Sequence, residues 1–167
     1  EIFIDAAKAL KDTAPNLKML IIGGTPDECT PYETMLKKRV IDEGLDDCII
    51  FTGHVSDMPM VYSGLDIVVS ASTAPEPLGT VVIESMAMGR PLIGPDHGGA
   101  AEMIRHGETG LLFKAGSATD LANKIRSVYE NKKVAKTLGD TARTHAMGTF
   151  AVKQHVKSIC DVYEKMA

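Results

Sequence analysis

Two carboxylates, Glu76 and Glu84, stand with seven residues between them: Pro77-Leu78-Gly79-Thr80, then the apolar run Val81-Val82-Ile83. The pattern predicts that Glu76 ends a loop and that Glu84 lies in the second turn of a helix starting near Gly79. A helix start leaves main-chain N–H groups unpaired and carries the positive end of the helix dipole. It can therefore hold a diphosphate. Acids beside such a site do not bind phosphate themselves, because like charges repel, but they accept hydrogen bonds from hydroxyls. The arrangement suits a ligand with phosphate at its centre and a hydroxylated ring at each end, which is the plan of a nucleotide-sugar. Leu78, Gly79 and Thr80 offer the N–H groups; Gly79 permits close approach, and Thr80 adds a hydroxyl. The plain alternative for Glu84 is an ordinary charge on a helix face. Val81, Val82, Ile83, Met86 and Ala87 weigh against it, since they make the helix apolar nearly all round and would leave a carboxylate in need of partners.

The surrounding elements must position these residues. Glu1 to Lys11 has a helical period, with apolar Ile2, Phe3, Ala6, Ala7 and Leu10. Leu17 to Ile22 is apolar apart from Lys18 and stops at Gly23-Gly24, as a buried parallel strand does. A loop is expected over Thr25–Pro31, a helix over Tyr32–Glu43, a strand over Cys48–Thr52 and a capped short helix over Asp57–Ser63. A strand over Leu65–Ser70 leads into the signature loop and helix, which Gly89 ends. Pro91–Gly94 and Gly110–Phe113 are further strands, with a short helix over Gly99–Arg105 between them. Thr119–Glu130, Val134–Met147 and Ala151–Ala167 give a helical C-terminus. Strands alternating with helices predict an α/β fold with a doubly wound parallel sheet, in one domain over residues 1–167. Gly23-Gly24 follows a strand, where ligands meet such sheets, although a tight turn explains it equally well.

Composition narrows the class. The chain has 167 residues, 44% of them hydrophobic, with no Trp; aliphatic side chains must build its core. Its net charge of −4 argues against a general nucleic-acid partner. Cys29, Cys48 and Cys160 are odd in number and widely spaced, which fits free thiols in a reducing compartment, the cytoplasm, better than disulfides or zinc. No run of about 18 apolar residues occurs to span a membrane. The methionines at 58, 60, 86, 88 and 103 are expected as core fillers. His106, His145 and His155 receive no chemistry. Beginning at Glu rather than Met, the chain looks like a segment of something longer.

The stretch from Glu76 to Glu84 resembles the Glu-x7-Glu signature of retaining glycosyltransferases of the GT-B fold, and within them family 4, the glycosyl transferases group 1. The resemblance extends through Glu84-Ser85-Met86-Ala87-Met88-Gly89-Arg90-Pro91, Gly98-Gly99, Glu102-Met103-Ile104, Gly107 and Gly110-Leu111-Leu112. Upstream it takes in Phe51-Thr52-Gly53-His54-Val55 and Ser70-Ala71-Ser72. It implies a Rossmann-like C-terminal domain that binds a UDP- or GDP-sugar without cofactor or metal. It further implies Glu76 on the donor sugar in the catalytic site, Glu84 on the ribose, and residues 78–80 on the diphosphate. Gly53, His54 and Val55 would line the base, and Gly23 and Gly24 would lie near the phosphates or sugar. Asp96 and His97 are left open between acceptor side and solvent. The family usually has Phe at position 78; because main-chain atoms do the binding, Leu78 alters little.

The same resemblance implies absent parts. The family's domain opens with a strand and a Gly-Arg…Lys-Gly loop whose cations neutralise the diphosphate, and that strand is central in the sheet. Here the strands near 17–22 and 65–70 should either close together or leave a gap filled from elsewhere; a central strand drawn from residues 1–12 would refute this. The acceptor site would belong to a separate N-terminal domain of the same protein. Peripheral membrane association of the full-length enzyme and its oligomeric state stay open. The rival readings are a sugar-nucleotide epimerase or phosphorylase of the same architecture, and a non-catalytic flavodoxin-like binding module.

Overall fold

The computed structural model describes residues 1–26 and 29–166. Its elements run α1 (Ile2–Leu10), β1 (Met19–Ile22), α2 (Thr30–Asp42), β2 (Ile49–Gly53), α3 (Met58–Gly64), β3 (Val68–Val69), α4 (Thr80–Ala87), β4 (Leu92–Pro95), α5 (Gly98–Met103), β5 (Leu111–Phe113), α6 (Ala118–Tyr129), α7 (Lys132–Thr149) and α8 (Val152–Met166). This is the α/β order expected, with every strand pair parallel. The expected loop at 25–31 is shorter, because α2 starts at Thr30 with Pro31 in its first turn; residues 27–28 of that loop, and Ala167, lie outside the described residues.

The strands form two sheets. β1 pairs with β2, and β3, β4 and β5 form the other in that order. β1 and β3 do not close together. Between them runs a groove of about 440 Å³, walled by Leu17, Leu20 and Ile22 on one side and Leu65, Ile67 and Val69 on the other. Residues 2–10 are helix, so no central strand is drawn from the start of the chain. The expected strand at 65–70 shrinks to the ladder of Val68 with Leu92 and Val69 with Ile93. A strand is defined by its partners, and β3 has one on a single edge.

Helices join the two half-sheets. Ile4, Ala7 and Leu10 of α1 and Leu121, Ile125 and Val128 of α6 pack in one buried cluster with Met19, Ile49, Ile93 and Phe113. That cluster takes residues from β1, β2, β4 and β5, and each fully buried large side chain contributes about 1.5–3 kcal/mol. A second cluster sets Val82 and Met86 of α4 against Tyr62, Leu92, Met103, Ile104, Ala142 and Ala146. Met86 and Met103 fill core as expected, but Met60 is exposed.

The starts and ends of helices follow their capping residues. Asp57 Oδ1 accepts from the Met60 N–H at 3.0 Å, Ser117 Oγ from Asp120 at 3.2 Å and Asn131 Oδ1 from Val134 at 3.1 Å. Gly89, at φ +66°, ends α4: its N–H donates to the Met86 carbonyl at 2.9 Å and that of Arg90 to Ser85 at 3.0 Å. α8 buries no residue. No helix among the described residues is long and apolar enough to cross a membrane.

Candidate functional site

Ser70, Ser72, Glu76, Gly79 and His97 gather at the C-terminal ends of β3 and β4. α4 begins with Gly79 as its N-cap, and no side chain among the described residues caps it. Gly79 is buried, while Leu78 and Thr80 on either side are exposed. The amide end of α4 is therefore open to a ligand at its flanks and supported from beneath. A Cβ on Gly79 would stand 3.7 Å from Glu76 Oε2. The Glu76 carboxylate thus lies over the start of the helix, where the sequence places it.

Two elements hold Glu76 there. The Ser72 hydroxyl bonds to its Oε1. The His97-Gly98-Gly99 turn braces its main chain: the Gly99 N–H donates to the Glu76 carbonyl at 2.7 Å. Gly98 has φ +58°, and a Cβ on it would come within 2.9 Å of the Glu76 main-chain nitrogen. Only glycine fits this contact. A depression of about 10 Å³, room for about one water, is lined by Ser70, Ser72, Glu76, Gly79 and His97. Both ring nitrogens of His97 are buried there without a partner among the described residues. Asp96 points to structure instead, since its Oδ1 accepts from the Ala115 N–H at 2.8 Å. Of the two residues left open in the sequence, Asp96 pins a loop and His97 lines the depression with Glu76.

Glu84 departs from expectation. α4 turns Val82, Ser85 and Met86 inward and leaves Val81 and Glu84 exposed. The apolar run does not bury the carboxylate, because the helix packs on one face and the neighbouring groove leaves the other open. Glu84 has a partner nonetheless: the buried Tyr62 of α3 donates to its Oε2 at 2.8 Å. Burial, with the Glu84 carboxylate beside it, pushes the Tyr62 phenol well above its ordinary value, so it stays a donor. Sequence reasoning missed Tyr62. Its signal was a phenol on the apolar face of a short helix, where a buried hydroxyl requires a partner.

The remaining predicted residues gather at the ends of β1 and β2. The Gly23 N–H donates to the Gly53 carbonyl at 3.0 Å, and a Cβ on Gly24 would lie 3.6 Å from His54 Cβ. Gly23, Gly24 and His54 are exposed, while Gly53 and Val55 are half-buried. Ile22, Met58 and Val81, near neighbours in sequence of this group or of the Glu76–Glu84 pair, line the same groove, as does Tyr62, which is bonded to Glu84. No cluster of three or more His, Cys, Asp or Glu able to hold a metal occurs among the described residues. His106 is structural: its Nδ1 accepts from the Leu112 N–H at 2.8 Å.

The chain is 33% identical, over 96% of its length, to the putative glycosyltransferase EpsD of Bacillus subtilis (strain 168), and covers 40% of that protein. It spans less than half the length of this and the other most similar curated relatives. Among solved structures it superposes on Anabaena Alr3699/HepE in complex with UDP at a TM-score of 0.92 and 29% identity, covering 98% of this chain and 44% of that one. The Anabaena protein is also solved with UDP-glucose. The C-terminal domain of a glycosyl transferase group 1 family protein (LpcC) from Francisella tularensis matches at a TM-score of 0.83 and 27% identity, over 90% of this chain and 78% of that one. The family model of the glycosyl transferases group 1 matches residues 1–145, from α1 into α7, and the chain belongs to that family.

Proposed function

We propose that this chain binds the nucleotide-diphosphate-sugar donor of a retaining family 4 glycosyltransferase. The observation that carries the reading is the uncapped amide end of α4 with the Glu76 carboxylate beside it. In this reading the diphosphate lies on the N–H groups of residues 78–80, the sugar hydroxyls on Glu76 and the ribose on Glu84. The base lies against Gly53, His54 and Val55, with Gly23 and Gly24 beside the phosphates or sugar. UDP and UDP-glucose bound to the Anabaena relative support a nucleotide-sugar as the ligand class.

Transfer requires the departing diphosphate to be stabilised as the glycosidic bond breaks. The α4 dipole supplies about 0.3–1 kcal/mol of that, a small share of an enzymatic barrier reduction. The remainder calls for cations, which we assign to a loop and strand preceding α1 in the full-length protein, with the strand occupying the groove between β1 and β3. With those cations in place the chemistry needs neither metal nor cofactor. The acceptor site belongs to a separate domain, so this chain alone binds a nucleotide weakly and transfers nothing.

A thermal-shift screen of UDP- and GDP-sugars on the full-length protein tests the reading. A ligand at about 100 times its Kd adds about 2.7 kcal/mol to the native state and raises the melting temperature. No shift with any nucleotide-sugar would remove the proposal. Product analysis with the stabilising donor then separates transfer to an acceptor from epimerisation of the sugar.

A further inference from the structure

One carboxylate oxygen of Glu84 is already engaged, by a residue of another element. Tyr62 is 3% exposed and packs in the cluster with Val68, Val82 and Met86, so its ring has no freedom to follow a moving partner. Glu84 is exposed, and an exposed glutamate on a helix face samples many rotamers. The phenol donates to Oε2 at 2.8 Å, which selects the rotamers that keep this bond. The second oxygen has no partner among the described residues and is left to accept from outside the protein. A fixed carboxylate with one free oxygen is suited to reading a hydroxyl at a defined place, because little ordering remains to be done on binding.

We propose that Tyr62 positions Glu84 as a hydroxyl acceptor and thereby makes the site discriminate a ribonucleotide from its deoxy counterparts. This rests on the donor-site reading above. Tyr62 does not touch the ligand; it acts through Glu84. A merely structural tie between α3 and α4 would act on stability and on all ligands alike, whereas a positioning bond acts on the ligand that carries the hydroxyl.

The test is calorimetry on the full-length protein with UDP, 2′-deoxy-UDP and 3′-deoxy-UDP, and the corresponding GDP series, using wild type, Tyr62→Phe, Glu84→Ala and the double variant. Phe keeps the ring and its packing, and the melting temperature of each variant is recorded alongside. Tyr62→Phe is expected to weaken ribonucleotide binding about five-fold, as loss of one hydrogen bond does. It should leave binding of the deoxy ligand that lacks the hydroxyl read by Glu84 nearly unchanged. The double variant should bind no more weakly than Glu84→Ala. Wild-type affinity in Tyr62→Phe, equal losses for ribo and deoxy ligands, or additive losses in the double variant would each overturn the proposal. If Glu84→Ala also leaves ribonucleotide binding intact, the donor-site reading falls with it; if Glu84→Ala weakens binding and Tyr62→Phe does not, only the role of Tyr62 falls.

Discussion

The two half-sheets carry the two halves of the candidate site in different ways. In the β3–β5 half, main chains meet so closely that several positions admit only glycine. A Cβ on Gly99 would stand 2.9 Å from the Pro77 carbonyl oxygen, one on Gly110 would stand 2.8 Å from that of Leu92, and one on Gly139 would run into that of Gly89. Through these contacts α5 and α7 fix the Glu76 loop and the end of α4. In the β1–β2 half the corresponding turns are open: a Cβ on Gly23 or Gly53 would meet nothing within 4 Å. There the flanking helices α1 and α2, besides their apolar contacts with the core, share a charged tie at the surface. Arg39 of α2 bonds to Asp5 of α1 and, at 2.7 Å, to Glu43, which in turn lies 3.2 Å from Lys8. In the proposed donor reading, the tightly set half would hold phosphate and sugar hydroxyl, and the open turns would leave main chain free to read a base edge.

Substitutions can break that contrast, and the largest effect is expected where packing is tightest. Gly139→Ala forces α7 away from the α4 terminus and should cost about 3 kcal/mol in urea unfolding, at the upper end of overpacking penalties. An unchanged midpoint would contradict the close contact. Gly99→Ala should cost about 2 kcal/mol and also weaken nucleotide-sugar binding, because the Cβ displaces the Glu76 main chain. Its counterpart Gly24→Ala meets only ordinary contact with His54 and should stay within about 0.5 kcal/mol of wild type. Equal costs for the two would erase the distinction between the halves.

The smallest effect concerns the charged tie. The Arg39 hydrogen bond, with Lys8 adding to it, holds the Glu43 carboxyl below its ordinary value. A depressed carboxyl contributes stability above the unfolded-state value near about pH 4.3 and loses it as pH falls through the folded-state value. Arg39→Met should therefore flatten the acid side of the stability profile. Urea midpoints taken from neutral pH downward would show it, and an acid limb identical to wild type would mean that the pair carries no pH dependence.

The same contrast explains what was legible in the sequence. Glu76, Gly79 and Glu84 lie within nine residues and their relation is fixed by one helix start, so spacing alone placed them. Tyr62 reaches Glu84 across 22 residues, and only the packing of α3 against α4 brings the two together. The exposure of Glu84 was misjudged because an apolar run cannot reveal that a groove lies beside one face of the helix. The split sheet was foreseeable from the resemblance, but the shortening of β3 to Val68–Val69 was not, since ladder length depends on which edges find partners. Asp96 and His97 were left open between acceptor side and solvent because nothing local to the pair shows that Asp96 accepts from the Ala115 N–H, 19 residues away.

Calorimetric titration of Glu76→Ala in the full-length protein with a nucleoside diphosphate and with the matching nucleotide-sugar tests the central claim most directly. If the sugar lies on Glu76 and the diphosphate on the start of α4, the nucleotide should bind as to wild type while the nucleotide-sugar loses about five- to ten-fold in affinity. Equal losses for both ligands, or none for either, would contradict the placement.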